Sequence, residues 1–408
     1  MEPIVDVIIS GGGLVGGTLS VALAQAGVKV LVIDRETQDS LLDPKLDGRT
    51  TAVAYGSQQM FFSLGMWGDI KKGAEPILRI KAYEAQSPWH ISYDYRDVGE
   101  KPLGYIADNR TLRQGIFKRV NDFSENIIWK APHVMDSFER SPYGVTVNVA
   151  GETYKAPLLV VAEGRQSPTR DQVGIQVKKL SYNQTALVFW IRHTTPHEGC
   201  AWEIFYPKGP LAVLPMPVCP ETGLARSGIV WMVPSAEAAD YLALETKTLS
   251  EKFSSLFPHY KNIEVVGKIW SYPLSAQIAE RLIDSRVALV GDAAHGIHPV
   301  AGQGVNIGWR DVAALAEVVV DAKRMGLDLG SETVLTRYQR WRRFDNLATL
   351  GMSDSMVRLF SNNSTILHFL RNAGLGIVNQ ISPLKRLLMK QAMGIAGTPP
   401  RLIRGGAL

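Results

Sequence analysis

The feature that most restricts the fold lies at the start of the chain. An apolar run, Val5 to Ser10, breaks into Gly11-Gly12-Gly13-Leu14-Val15-Gly16, and a second apolar run, Val28 to Ile33, ends at Asp34. Between them, Leu14 to Ala26 carries small and apolar residues at helical spacing, with Gly27 placed as a C-cap. This is a complete βαβ unit and predicts a doubly wound parallel sheet. Gly11, Gly13 and Gly16 fit G-x-G-x-x-G: the first permits a tight turn, the second lets backbone approach a pyrophosphate, and the third lets helix and strand pack closely. The helix start offers free N–H groups and the positive end of its dipole to phosphate. Asp34, eighteen residues after Gly16, stands where a carboxylate accepts from ribose hydroxyls. A glycine turn that binds nothing is the alternative, but strand, helix and acid all in place favour a dinucleotide.

Nearly three hundred residues later come Gly291-Asp292-Ala293-Ala294-His295, His298-Pro299 and Gly302-Gln303-Gly304-Val305-Asn306. Asp292 follows an apolar strand, so its carboxylate belongs at the carboxyl edge of the sheet, where ligands bind; there it can accept from a ribityl hydroxyl or, alternatively, cap a helix. Gly302 and Gly304 allow backbone close to a planar ring, and Val305 and Asn306 open a long helix whose positive end suits the negative charge of a reduced flavin. The two motifs together describe one chain wrapping both ends of FAD.

The rest of the chain is ordinary for a globular protein: 408 residues, 46% hydrophobic and 20% charged, with a formal net charge of +5. Cys200 and Cys219 form no CxxC pair, which argues against a disulfide framework or thiolate metal site and suits a reducing compartment. The N-terminus shows no secretory or transit leader, and no apolar stretch reaches the ~18 residues of a membrane span. His295 and His298 lie three apart, but a proline follows His298 and no second cluster supports a metal. The expected architecture is α/β: a discontinuous Rossmann-like FAD-binding domain (residues 1–75, 99–175 and 276–330), an inserted, mostly antiparallel β substrate domain (76–98 and 176–275), and a C-terminal helical region (331–408). Ile77 to Tyr83 and His90 to Tyr95 read as a hairpin-like pair, and Leu187 to Arg192, Ala201 to Tyr206, Leu211 to Leu214 and Ile229 to Val233 as strands.

This combination resembles the class A flavoprotein aromatic hydroxylases. Their middle motif, DGxxSxxR, reads Glu163-Gly164-Arg165-Gln166-Ser167-Pro168-Thr169-Arg170 here, with Glu for Asp. His298-Pro299-x-Ala301-Gly302-Gln303-Gly304-x-Asn306-x-Gly308, Arg310-Asp311-Val312, the Arg337-Tyr338 and Arg342-Arg343-x-Asp345-Asn346 segments, Gly48-Arg49 with Ala52, and Gly209 to Pro215 are similar to the ubiquinone-biosynthesis hydroxylases, over essentially the whole chain. The resemblance implies a monooxygenase that hydroxylates a polyprenylated phenol with O₂ through a flavin C4a-hydroperoxide, NADPH or NADH binding transiently because only one dinucleotide fold is apparent. It assigns Arg49 and Arg110 to the FAD, Glu163 to a role shared between FAD and NAD(P)H, and Pro299 to the ring face. Tyr206 is a candidate to help deprotonate the phenol. A hydroxylase of small soluble aromatic acids, a non-catalytic flavin-binding assembly subunit and a flavin reductase of prenyl double bonds are the other readings.

From Ser355 to Leu408 there is no Asp or Glu but seven basic residues: Arg358, Arg371, Lys385, Arg386, Lys390, Arg401 and Arg404. Pro383 to Ile395 interleaves Leu384, Leu387, Leu388 and Met393 with Lys385, Arg386 and Lys390. This is the pattern of a helix lying in an anionic headgroup layer, or of one contacting other ubiquinone-pathway proteins. The expected location is cytoplasmic, peripheral at the inner face of the cell membrane, with no nucleic-acid partner.

Overall fold

The computed structural model describes residues 5–85, 90–298, 302–360 and 382–408. It is α/β, and its first sheet has six strands in the order Ile283–Asp284, Val287–Leu289, Leu158–Val161, Val7–Ser10, Val30–Ile33 and Ile127–Lys130. All pairs are parallel except the first. The four residues of Val7–Ser10, Val30–Ile33 and Leu158–Val161 are buried on both faces, as continuous apolar runs in a covered parallel sheet should be. The helices Leu14–Gln25 and Gly304–Arg324 pack on it. The Trp309 indole, wholly buried, donates to the Leu14 carbonyl at 3.3 Å and meets Phe61 edge-on at 4.8 Å. A small antiparallel meander, Ser137–Ser141, Gly144–Val149 and Glu152–Ala156, is attached beside this sheet and turns Val145, Val147 and Val149 inward.

The inserted sheet has eight strands in the order His295–Gly296, Glu264–Ala279, Val177–His193, Ala225–Pro234, Gly209–Met216, Cys200–Tyr206, Arg79–Glu84 and His90–Asp94. Every pair is antiparallel except Cys200–Tyr206 with Arg79–Glu84. Two findings differ from the sequence reading. The expected strand from Ile77 to Tyr83 is divided at Leu78: Ala74–Ile77 joins Gly104–Asp108 and Thr50–Ala54 in a separate three-stranded sheet, while Arg79–Glu84 enters the large one. The strand expected over Leu187 to Arg192 runs from Val177 to His193, because its exposed Lys178-Lys179-Leu180 start is held by the equally long Glu264–Ala279 strand rather than by burial.

The large sheet has two unlike faces. One carries Leu187, Phe189, Ile204, Ile229 and Trp231 against Phe253 and Phe257 from the helix Thr246–Leu256 and the residue after it. The other packs against the three-stranded sheet through Ala52, Ile77 and Ile106 and against Met389 of the helix Ser382–Ala392.

The C-terminal region corrects the surface-helix expectation. In Ser382–Ala392, Met389 is buried, as is Met393 just beyond, both packed with Ala201, Met216 and Ile106, so Met393 does not belong to an outward apolar face. Lys385 pairs with Asp97 at 2.7 Å, and Arg401 with Asp321 at 2.6 Å and Glu317 at 3.1 Å. Leu402 and Ile403 are in the main core. Leu387, 59% exposed, and the exposed Arg386 and Lys390 remain on the surface. Among the described residues no helix is long and apolar enough to cross a membrane.

Trp309 locks the first helix to the helix after the second motif. Trp309→Ala should cost about 3–5 kcal/mol, seen as a lower urea midpoint at unchanged m-value.

Candidate active site

The glycines of the first turn divide by what they face. Gly11 has φ of +100°, and a Cβ there would lie 2.5 Å from the Ala162 carbonyl oxygen; at Gly16 it would lie 1.8 Å from that of Gly11. Both are fixed by packing inside the protein. Gly13 has an ordinary extended backbone, and a Cβ there would meet nothing within 4 Å. It opens towards the N-terminus of Leu14–Gln25, which has no side-chain cap, so its first N–H groups are available to an anion. Gly304 repeats this: a Cβ would meet nothing within 4 Å, and the helix it starts lacks a side-chain cap. Two uncapped helix starts, each with backbone bared by glycine, fit a pyrophosphate at one and an electron-rich ring at the other. Gly302, at φ +62°, brings the loop against Ala52, and Gly302 and Val305 are partly accessible. Asp34 sits at the first turn, its Oδ2 accepting from Gly12 N–H at 2.5 Å and Oδ1 from Glu36 N–H at 2.8 Å.

Asp292 does not cap a helix. Its carboxylate, 38% exposed, pairs with Arg165 Nε at 3.0 Å, and Arg165 in turn donates to the carbonyls of Ser275 at 2.7 Å and Ile297 at 3.1 Å. Arg165 thus joins the middle motif, the large sheet and the Gly291 turn. Sequence reasoning quoted it within Glu163–Arg170 without singling it out. Beneath the turn lies Asp311, with no exposed surface. It accepts from Gly291 N–H at 3.0 Å and Arg342 Nε at 2.8 Å and pairs with His295 Nε2 at 2.5 Å. Burial pushes the Asp311 pKa up, but the charges and hydrogen bonds of His295 and Arg342 outweigh it and hold the group down at about 2. His298 is engaged separately, 3.3 Å from Gln184 Oε1.

Several expected ligand residues are used inside the protein. Asn306 accepts from Ala54 N–H at 2.9 Å and Ser57 Oγ at 2.8 Å, and donates to the carbonyls of Ala52 at 2.7 Å and Gly302 at 3.0 Å. Its side-chain amide is saturated and fastens the loop to the Thr50–Ala54 strand. Glu163 accepts from Ser10, Ser167 and Thr169 hydroxyls and from Thr169 N–H, at 2.5–3.1 Å; the longer acid closes its own loop. Arg49 is half-exposed, forked onto Asp47 at 2.8 and 2.9 Å, with its guanidinium 5.1 Å from the Tyr272 ring centre. Asp47 also receives Asn109 and Arg113, a cluster that spacing alone does not reveal. Arg110 is exposed in the first turn of Asn109–Asp122, whose Asn109 N–H donates to the Arg49 carbonyl at 3.1 Å. Pro299 lies outside the described residues.

Tyr206 is not brought to this site. Its hydroxyl donates to the Leu256 carbonyl at 2.6 Å, on the helix-covered face of the sheet, where the residue lines a surface pocket with Lys208, Trp231 and Tyr241. Strand alternation decides this: Trp202, Ile204 and Tyr206 share the outer face.

The family model described as FAD binding domain matches residues 4–343. The chain belongs to the FAD binding domain family. Within reach of this family, the chain is 42% identical to ubiquinone hydroxylase UbiL of Rhodospirillum rubrum, covering 99% of this chain and 94% of that protein. It is 30% identical to 3-demethoxyubiquinol 3-hydroxylase of Escherichia coli, covering 96% and 98%. The solved structure of p-nitrophenol 4-monooxygenase PnpA from Pseudomonas putida superposes with a TM-score of 0.79 at 19% identity, covering 98% and 100%, and so shares the fold.

Gly13→Val should leave the apoprotein's melting temperature nearly unchanged, since nothing in the protein opposes the side chain, while weakening FAD binding at least tenfold in a flavin-fluorescence titration. Acid should act through Asp311. Its folded pKa near 2 lies below the ~3.9 of a free Asp, so its stabilisation is present above about pH 4 and is lost as pH falls towards 2. Asp311→Asn should begin less stable and lack this acid limb in pH-dependent melting.

Proposed function

We propose that the protein is an FAD-dependent monooxygenase that hydroxylates the aromatic ring of a polyprenylated phenol in ubiquinone biosynthesis, using NAD(P)H and O₂. One observation carries this reading: the Gly302 loop lies against Ala52, which with Gly48 packs on an aromatic, largely apolar sheet face. The Trp190 indole donates to the Gly48 carbonyl at 3.1 Å, and the Trp270 ring is packed so tightly on Gly48 that a Cβ would lie 2.0 Å from it. The names of the relatives above support the substrate class.

FAD, when bound, supplies the redox chemistry between a nicotinamide and O₂. The residues present would hold it through Gly13 and the helix behind it, Asp34, and Asp292 oriented by Arg165. The start of Gly304–Arg324 would offer the positive end of its dipole to the reduced ring. The six-stranded sheet carries a single glycine-rich nucleotide turn, which favours a nicotinamide that binds transiently. Trp190, Trp270 and the clusters around them exclude water from the reacting ring, so that oxygen is transferred to the substrate rather than lost. An apolar floor also suits a prenyl tail. Such a substrate resides in a bilayer, and we place the contact with an anionic membrane surface at Arg386, Leu387 and Lys390, each basic residue contributing about 1 kcal/mol.

The test is NAD(P)H oxidation by the FAD-loaded protein with a prenylated phenol or with benzoate. Stimulation by the prenylated phenol, with a product heavier by one oxygen atom, is expected. Stimulation by benzoate alone would overturn the substrate class; gain of two hydrogens would make the protein a reductase, and flavin binding without turnover would remove the enzymatic reading.

A further inference from the structure

The inner face of the large sheet is largely apolar, with Glu203 near its middle and Glu84 opposite Phe205. On the strand Cys200–Tyr206, alternation turns Ala201, Glu203 and Phe205 away from the helix-covered side. Ala201 packs with Leu214, Met216, Trp190 and Ala52; Phe205 packs with Val188, Met232 and Leu274. Glu203 stands between these two clusters. Its cross-strand neighbours are both alanines, Ala82 and Ala212, so space is left around the carboxyl group where larger residues would fill it.

The position relates directly to the cradle. On one side of Glu203, the sheet approaches Thr50 and Ala52: a Cβ on Gly228, which pairs with Leu214, would lie 3.0 Å from Thr50 Oγ1. On the other side, the same face rises towards Gln184, which meets His298 at the head of the second loop. Glu203 therefore lies on a sheet face bounded by the Thr50–Ala54 strand at one end and by Gln184 with His298 at the other.

Its chemistry is unusual for a carboxyl group. No cation or donor among the described residues partners it, and Oε1 is sealed from solvent without a hydrogen bond. The side chain is surrounded by protein yet keeps partial accessibility, as a group lining an internal space does. Desolvation by burial raises its pKa to about 8, which keeps it a neutral acid at pH 7. A neutral carboxyl group has an O–H to donate and a carbonyl to accept. An unmet buried polar group of this kind costs stability, and nothing in the fold uses it.

We propose that Glu203 is a substrate-binding residue that hydrogen-bonds, as a neutral acid, an oxygen substituent of the aromatic ring and so fixes the ring's orientation in the site. The inference rests on the aromatic-hydroxylase reading and deepens it. The ligand class is a ring bearing a hydroxyl or alkoxy group beside an apolar chain. The alanines on either side make room for the ring edge, and the flanking clusters accept the apolar remainder. Such a site rejects a ring without the oxygen, because Glu203 is then left unmet.

The experiment uses the FAD-loaded protein and two probes, a 2-methoxyphenol bearing a short prenyl chain and the same chain on a bare benzene ring. Binding is followed through the flavin absorbance. Wild type should bind the oxygenated probe roughly tenfold more tightly. Glu203→Leu should lose that preference by weakening the oxygenated probe alone, with an unchanged or higher melting temperature. Glu203→Gln, which keeps a donor and an acceptor, should retain the preference within threefold. The inference is overturned if Glu203→Leu discriminates as wild type does, or if it weakens both probes equally and melts lower, as a structural role requires. If wild type hydroxylates the phenol but shows no preference, Glu203 alone loses its role. If wild type neither binds nor oxidises the phenol, the hydroxylase reading falls as well.

Discussion

The arrangement turns on a single dry carboxylate. Asp311 sits two turns into the helix Gly304–Arg324 with no access to water, and it is tolerable there only because Arg342, His295 and Gly291 N–H converge on it. Removing one partner from such a group typically costs about 3–5 kcal/mol. The three partners belong to three different segments: the long helix Glu332–Phe360, the strand His295–Gly296 and the turn before Asp292. Asp311 thereby sets the spacing between the Asp292 turn and the start of the helix Gly304–Arg324. The neighbouring Arg310 and Arg342 share Asp345 at 2.8 and 2.5 Å, which extends the same clamp along both helices.

Much of the cradle was legible because its demands are local. A βαβ turn with glycines at fixed offsets has few other uses, and Asp292 after an apolar strand has few other places to go. The residues whose internal role was not legible are those whose partners lie far along the chain. Asn306 and Glu163 are polar, well placed and in motif, yet their hydrogen bonds go to Ala52, Ser57, Ser10 and Thr169. A linear pattern shows that a polar group is present; it does not show whether the fold has already satisfied it.

The substrate side was harder to read for a related reason. Alternation separates the two faces of a strand but does not say which one a helix will cover. Thr246–Leu256 covers the side of Tyr206, and Glu203, a position with no motif around it, is left on the other. The basic tail shows the same limit in electrostatics. Summed along the sequence it is a uniform positive run, but Asp97, Glu317 and Asp321 come from distant elements to meet Lys385 and Arg401.

The one parallel pairing in the large sheet, Cys200–Tyr206 against Arg79–Glu84, joins segments that are far apart in the chain. Between them the polypeptide builds two nucleotide-sheet strands, a meander and the long strand Val177–His193. The edge formed by Arg79–Glu84 and His90–Asp94 must therefore wait, unpaired on one side, until Cys200–Tyr206 has been made. Non-local closures of this kind are slow, and they also forbid modular assembly. The layer that would receive the substrate cannot mature as a separate piece and dock later, because its outer strands are tethered to the cradle from the start. The eight-stranded and six-stranded sheets are thus obliged to fold as one cooperative unit, and a lesion in either will be felt as a kinetic fault in both.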